Sequence, residues 1–372
     1  MNNTAQRRPG INLREVLSAW GHLLSGKTPM LSIEITRECP LHCPGCYAYS
    51  ETHLGGSVTL RQLQDRRGEA LVQGVVDLVA EHKPLHVSLV GGEPLVRVRE
   101  LNRILPRLSR MGVFSLVVTS GIVPIPQEWM NIPRLRVAVS VDGLPQHHDE
   151  RRKPATYDRI LHNIRGRTVN IHWVITRPML QPGYFEQYVS FWNARPEVNH
   201  IWVSLYSPQV GEQTQEMLTS EDRQQAAAEL SRMRERYPKF LMNEGMGAAF
   251  LSPPRSPDEC LFSRLSANYS ADLRTVVQPC VLGGKPDCAN CGCAPSIGLH
   301  WAKSTTIVGP LKTGHLVRAS MAIGGWVDRI RQRSRLSQRW YAKATSGPKE
   351  RTDIVQISPL DAPSGRKIES AR

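Results

Sequence analysis

Three cysteines, Cys39, Cys43 and Cys46, stand at spacings of three and two intervening residues. Thiolates so placed on one loop can ligate three irons of a cubane iron–sulfur cluster and leave the fourth without a protein ligand. An open iron matters chemically, because a four-ligand site is closed and suits structure or electron transfer, whereas an open one can bind a substrate. Pro40, Pro44 and Gly45 let the loop wrap tightly and turn backbone N–H groups toward cluster sulfurs. The competing reading is a zinc site completed by His42 or a distant residue, or a reactive thiol group.

The elements that must position this loop follow from the hydrophobic pattern. Short β-rich runs at 31–36, 85–90, 114–119, 136–141, 170–176 and 200–206 alternate with helical patterns at 60–82, 97–110, 157–165, 184–193 and 220–236. Six successive βα units predict a parallel sheet, since each crossover returns the chain to the same end of the sheet. The expected fold is α/β, a partial, TIM-like (β/α)6 barrel followed by a loop-rich, cysteine-containing extension. The cysteine loop then lies at the C-terminal end of the first strand, where such arrays gather their active sites.

Further polar groups fall at the ends of later strands. Gly91-Gly92-Glu93-Pro94 closes the second, Thr119-Ser120-Gly121 the third and Ser140-Val141-Asp142-Gly143 the fourth. Glu93 can face a cationic amine, and Thr119, Ser140 and Asp142 can bond ribose hydroxyls or a carboxylate; capping of the next turn explains each equally well. His147, His148, Asp149 and Arg151 follow, with solvated loop positions expected for the histidines. Thr176, Arg177, Ser204 and Tyr206 are weaker candidates at the last two strand ends.

A second cysteine group, Cys280, Cys288, Cys291 and Cys293 with Cys260 upstream, lies in a Pro-, Gly- and Ser-rich stretch from 252 to 295. Such a segment needs another source of order, which metal or cluster ligation supplies. Five thiols exceed one four-ligand site, and Cys260 is the expected spare. A structural zinc ribbon is the alternative to a cluster.

From about Pro29 to Pro208 the sequence resembles the radical S-adenosylmethionine (SAM) superfamily, whose cluster motif is the Cys39, Cys43, Cys46 run. The resemblance implies a [4Fe–4S] cluster whose open iron chelates the amino and carboxylate groups of SAM, and reductive cleavage of SAM to methionine and a 5′-deoxyadenosyl radical. It also implies SAM contacts at Gly91, Gly92, Glu93 and Pro94, further cofactor contacts at Tyr47, Thr119, Ser140 and Asp142, and a donor such as flavodoxin or ferredoxin. Where many members place an aromatic residue before the third cysteine, this chain has Gly45, with Tyr47 just after it. The later cysteines resemble the auxiliary-cluster extensions called SPASM or twitch, implying a second [4Fe–4S] cluster without fixing its ligands. No residue receives a catalytic role, and the substrate, a peptide, a protein or a lipid-like small molecule, is left open.

The 372 residues carry a net charge of +14, of which the stretch from Lys312 to Arg372 supplies +8 through 13 basic and 5 acidic residues. Basic residues beside apolar ones at 316–340 predict a helix able to meet an anionic membrane surface. The rival function class is a non-catalytic metal-binding or nucleic-acid-interacting protein. The lack of interleaved aromatic and basic residues argues against nucleic acid. No apolar run approaches the roughly 20 residues of a membrane span, and the polar N-terminus predicts a cytoplasmic protein. The expected division is an amphipathic N-terminal helix in 1–28, a radical SAM core in 29–237, an auxiliary-cluster extension in 238–300, and a basic helix with a disordered tail in 301–372.

Overall fold

The structure, a computed structural model, describes residues 13–49, 53–54, 63–308 and 311–345. The expected start of the second helix at 60–62 and the tail beyond 345 lie outside the described residues. The chain divides into two units, Met1–Val327 and Asp328–Arg372.

The first unit is built on βα alternation: β1 (Met30–Glu34), α2 (Gly68–His82), β2 (His86–Val90), α3 (Val98–Arg110), β3 (Phe114–Thr119), β4 (Leu135–Ser140), α4 (Pro145–Arg152), α5 (Tyr157–Ile164), β5 (Val169–Ile175), α6 (Tyr184–Asn193), β6 (Val198–Leu205) and α7 (Ser220–Arg236). Before it runs α1 (Leu13–Leu24), and after it come α8 (Met246–Leu251), α9 (Leu261–Leu265), β7 (Ser266–Tyr269) and α10 (Ala294–Ser304). All six expected strands form, each within two residues of its expected bounds. They pair in parallel in the order β6-β5-β4-β3-β2-β1-β7, an unclosed sheet.

β7 is a strand of this sheet that the sequence pattern did not show. Ser266, Asn268 and Ser270 are polar, so no apolar run marks the strand, yet Ser266–Tyr269 pair in parallel with Met30–Ile33. The extension expected to begin at 238 therefore shares the sheet of the core. Alternation decides the two faces: Leu31, Ile33, Val87, Leu89, Val117, Val137, Val139, Ile171, Trp173, Ile201 and Val203 are buried in the main apolar core with the helices. Ser32, Glu34, Ser140, His172 and Ser204 alternate with them and line the concave side.

Leu23 of α1 packs with Leu261, Leu265 and Val317 in a small separate core, while Leu17 is 62% exposed. After a two-stranded hairpin, β8 (Thr306–Val308) with β9 (Leu311–Lys312), α11 runs over Thr313–Thr345. Gly324 lies against the Leu23 carbonyl, an approach that a side chain at 324 would block.

Candidate active site and a second cysteine pocket

The loop carrying Cys39, Cys43 and Cys46 leaves the sheet at the C-terminal end of β1, and its root is fastened from two sides. Asp65 accepts from Thr36 Oγ1 at 2.6 Å, the Arg37 amide at 2.8 Å and Arg37 Nε at 2.9 Å. Burial alone would raise its pKa; these donors outweigh burial and hold it below the usual carboxylate value. From the other side the end of β2 lies directly on the loop root, with Gly92 N–H donating to Thr36 O at 2.7 Å and Glu93 N–H to Glu38 O at 2.8 Å. A Cβ at Gly92 would stand 2.4 Å from Glu38 O, and one at Gly91, where φ is +127°, 2.4 Å from Thr36 O. The two glycines are thus required for backbone contact between β2 and the cysteine loop.

Glu93 is buried, and both its oxygens are engaged. Oε1 accepts from Leu95 N–H at 2.9 Å and Thr119 Oγ1 at 2.6 Å, and Oε2 from Ser120 N–H at 2.8 Å and Ser120 Oγ at 2.5 Å. The carboxylate that the family resemblance offers to an amine therefore also ties the ends of β2 and β3 together, and it lies close enough to Cys39 to disfavour a thiolate there.

The three thiols are partly exposed. Cys39 and Cys43 pack against Leu41, Ile122 and Ala155, which seat the loop on the third strand end and the α4–α5 turn. Burial pushes Cys39 up to about 11, with the neighbouring Cys43 and Cys46 adding to the shift. Cys43 is also raised by burial, against the pull of the Arg152 guanidinium. Gly45 takes φ +62°, and a Cβ there would stand 2.5 Å from the Tyr206 hydroxyl. An aromatic ring from the end of β6 thus covers the position where the loop itself lacks one. Tyr206 donates to Glu212 Oε1 at 2.5 Å, which fixes the ring.

Asp142 lies beyond β4, buried between two arginines. Arg152 Nε reaches Oδ2 at 2.7 Å and Arg151 Nε reaches it at 3.0 Å. Burial would raise this carboxyl, but Arg152 and Arg151 bring it down to about 2. Its other oxygen, Oδ1, is buried without a hydrogen-bond partner. Arg151 also pairs with Glu216. His148 departs from its expected solvated position: it lies on α4, fully buried, accepting from Asp142 N–H at 3.0 Å through Nδ1 and facing Ala155 O at 2.8 Å through Nε2. These two bonds and an edge-on contact with the Tyr157 ring hold it inward. His147 meets the Tyr184 hydroxyl at 2.9 Å. Ser140 is buried at the end of β4, where it pairs in register with His172.

The second cysteine group forms one pocket. Cys260, Cys280, Cys288, Cys291 and Cys293 all line it, with Ser207, Asp287 and Ser296. Cys260, the expected spare, is thus part of the same wall, its sulfur 3.1 Å from Ser296 Oγ. Burial pushes up Cys280, to about 12, Cys288, to about 11, and also Cys291 and Cys293. The pocket is moored to the sheet at two strands, β6 and β1. At β6, Leu205 N–H donates to Gly292 O at 3.0 Å and Ala294 N–H to Ser204 Oγ at 3.1 Å. At β1, His53 Nδ1 meets Leu282 O at 3.0 Å while its Nε2 meets Glu34 Oε1 at 2.7 Å, and Ser270 Oγ donates to Glu34 Oε2 at 2.7 Å. Tyr47 lies between the two cysteine groups: burial, the Glu34 carboxylate, Cys46 and Cys293 all raise its hydroxyl pKa.

Among the described residues no three His, Cys, Asp or Glu side chains converge on a point that could hold one metal ion. A cubane cluster spreads its thiolates over separate irons and takes a wider opening. The thiol sets fit such a group in donor type and number: three on the first loop and five around the second pocket.

Residues 33–190 match the family model described as the radical SAM superfamily. This match marks a radical SAM domain over those residues. Among curated relatives, the chain is 29% identical over 101 residues to the PqqA peptide cyclase of Xanthomonas campestris, a match covering 27% of this chain and 24% of that protein. It is 30% identical over 108 residues to the 7-carboxy-7-deazaguanine synthase of Hyperthermus butylicus, covering 29% of this chain and 41% of that protein. The aligned stretch thus spans about a quarter of the peptide cyclase. Among solved structures, Streptococcus suis SuiB bound to the precursor peptide SuiA superposes with a TM-score of 0.53 at 14% identity, over 76% of this chain and 67% of that one. This likeness is one of fold.

Several residues of the site escaped the sequence reading. Arg152 follows the S-V-D-G run by nine residues, and its basic side chain beside Arg151 was the available signal. Glu34, His53 and Ser270 meet across separations of 19 and 236 residues, which no local pattern reveals.

Proposed function

We propose that this protein is a cytoplasmic radical SAM enzyme that reductively cleaves SAM and modifies a carbon centre of a peptide or protein. The observation that carries the reading is the open three-thiol loop, held by Gly91 and Gly92 at the C-terminal end of a parallel sheet. Bound there, a [4Fe–4S] cluster and SAM would supply a 5′-deoxyadenosyl radical. Cys39, Cys43 and Cys46 hold the cluster, and Tyr206 closes over Gly45 to shield the loop. Asp142 keeps Oδ1 as a free buried acceptor for a ligand hydroxyl while fixing Arg152 as a cation beside Cys43. Residues 29–237 act as the core and 238–300 as its auxiliary extension, with a second [4Fe–4S] cluster in the five-cysteine pocket and a flavodoxin or ferredoxin as electron donor. A peptide substrate is supported by the peptide cyclases among the relatives. Anaerobically reconstituted protein given dithionite and SAM is expected to form 5′-deoxyadenosine, faster when the cognate peptide is added. No 5′-deoxyadenosine from iron-loaded protein would falsify the assignment.

The C-terminal helix supports an added role at an anionic membrane surface. Ile323 and Trp326 of α11 are 50% and 61% exposed, and the sequence from Lys312 onward is strongly basic. No described helix is long and apolar enough to cross a membrane. Each basic residue near anionic lipid contributes about 1 kcal/mol. Sedimentation with phosphatidylserine vesicles is expected for the full chain and is lost on removal of residues 313–372; equal sedimentation of both forms rules this role out.

A further inference from the structure

Arg223 is a buried cation without a carboxylate. It stands in the first turn of α7, where the positive end of the helix dipole disfavours it, and it is 5% exposed. All four of its hydrogen bonds end on backbone carbonyls: Nε and Nη2 on Phe250 O at 3.2 and 2.6 Å, Nη1 on Asn290 O at 3.1 Å, and Nη2 on Cys291 O at 2.9 Å. Among the described residues no ion pair involves it. Carbonyls satisfy its donors but do not neutralise its charge, and an uncompensated buried charge is strongly destabilising. Two of those carbonyls belong to the loop that lines the five-cysteine pocket.

We infer that Arg223 is the counter-cation of the centre bound in the second cysteine pocket, offsetting the charge of its thiolates and raising its reduction potential. The inference rests on the proposed second cluster. A thiolate-bound cluster is an anion in either redox state, and reduction adds a further negative charge, so a fixed cation behind it favours the reduced form. Burial pulls the Arg223 pKa below its ordinary value, and the groups opposing that pull are Cys291, a wall of the pocket, and Asp287 beside it. Arginine fits the task because it keeps its proton even when buried.

The test uses the full chain with Cys39, Cys43 and Cys46 changed to Ala, so that only the second pocket can hold iron. Iron content and an EPR-monitored redox titration are measured for this parent, for Arg223→Gln and for Arg223→Lys. The parent is expected to hold roughly four irons. Gln retains hydrogen-bond donors without charge and is expected to shift the potential to a more negative value. Lys should match the parent at neutral pH and fall toward the Gln value as alkaline pH removes its proton, while the parent stays level. Should the Gln variant fail to load iron, the Lys profile decides alone. Iron-loaded variants with the parent's potential at every pH would reduce Arg223 to a structural clamp and overturn the inference. A parent that takes up zinc or no iron would instead remove the second cluster, and the inference with it.

Discussion

Changing Cys43 to Ala is expected to abolish 5′-deoxyadenosine formation and to lower the iron content from roughly eight to roughly four per chain, counting one cubane for each cysteine group. The side chain is partly exposed and packs only on the small Leu41, Ile122 and Ala155 cluster, so its truncation leaves the main core untouched. The fold should therefore survive, which an unchanged far-UV circular dichroism spectrum would establish. With two thiolates left on the loop, the first cluster loses a ligand that no nearby cysteine replaces, because the other five lie around a separate pocket. Cleavage at the wild-type rate by the alanine variant would mean that the second pocket, or neither, generates the radical. Iron near four in the wild type, falling to none in the variant, would keep the first site and remove the second.

The second large effect is expected at Asp142. Replacing it by Asn leaves Arg151 and Arg152 buried beside an uncharged group, and loss of one partner from a buried ion pair costs about 3–5 kcal/mol. Chemical unfolding at neutral pH should show that loss. The pH dependence has a definite sign. The folded carboxyl is held at about 2, below its unfolded value near 3.8, so its contribution is fully present above pH 4 or so and disappears as pH falls through 2. The shift corresponds to on the order of 2 kcal/mol. The gap in stability between wild type and Asp142→Asn should accordingly narrow as the pH falls from 5 to 2. A gap that is constant over this range would show that the arginines find other partners. Because Asp142 itself raises the Cys43 thiol while Arg152 opposes that shift, the variant keeps the cation, loses the anion and should load the first cluster no less readily than wild type, a result read in the iron content.

Much of this architecture was legible in the sequence because its signals are local. Six strands and the helices that follow them carry alternating or helical apolar patterns within a dozen residues, and three of these elements, β3, α6 and α7, begin and end where the pattern says. The Cys39, Cys43 and Cys46 spacing is local too, and so is the Gly91-Gly92 pair. β7 was hidden because its strand is polar: Ser266 and Asn268 have no apolar core to face, and pairing with β1 comes from the backbone. His148 was expected in solvent because polar neighbours surround it in the chain, whereas α4 turns it under the loop.

The three-cysteine loop at the end of the first strand was determined by the sequence itself, since residue type and spacing alone put three thiols on one short loop. Only the tertiary structure decided what surrounds it. Tyr206, from 161 residues downstream, occupies the space over Gly45, Arg152 sets the field at Cys43, and Glu34 with His53 moors the second cysteine pocket to the first strand. The physical reason is one of range: ligand spacing is fixed along the chain, whereas burial, charge partners and close backbone approach arise only when distant segments meet.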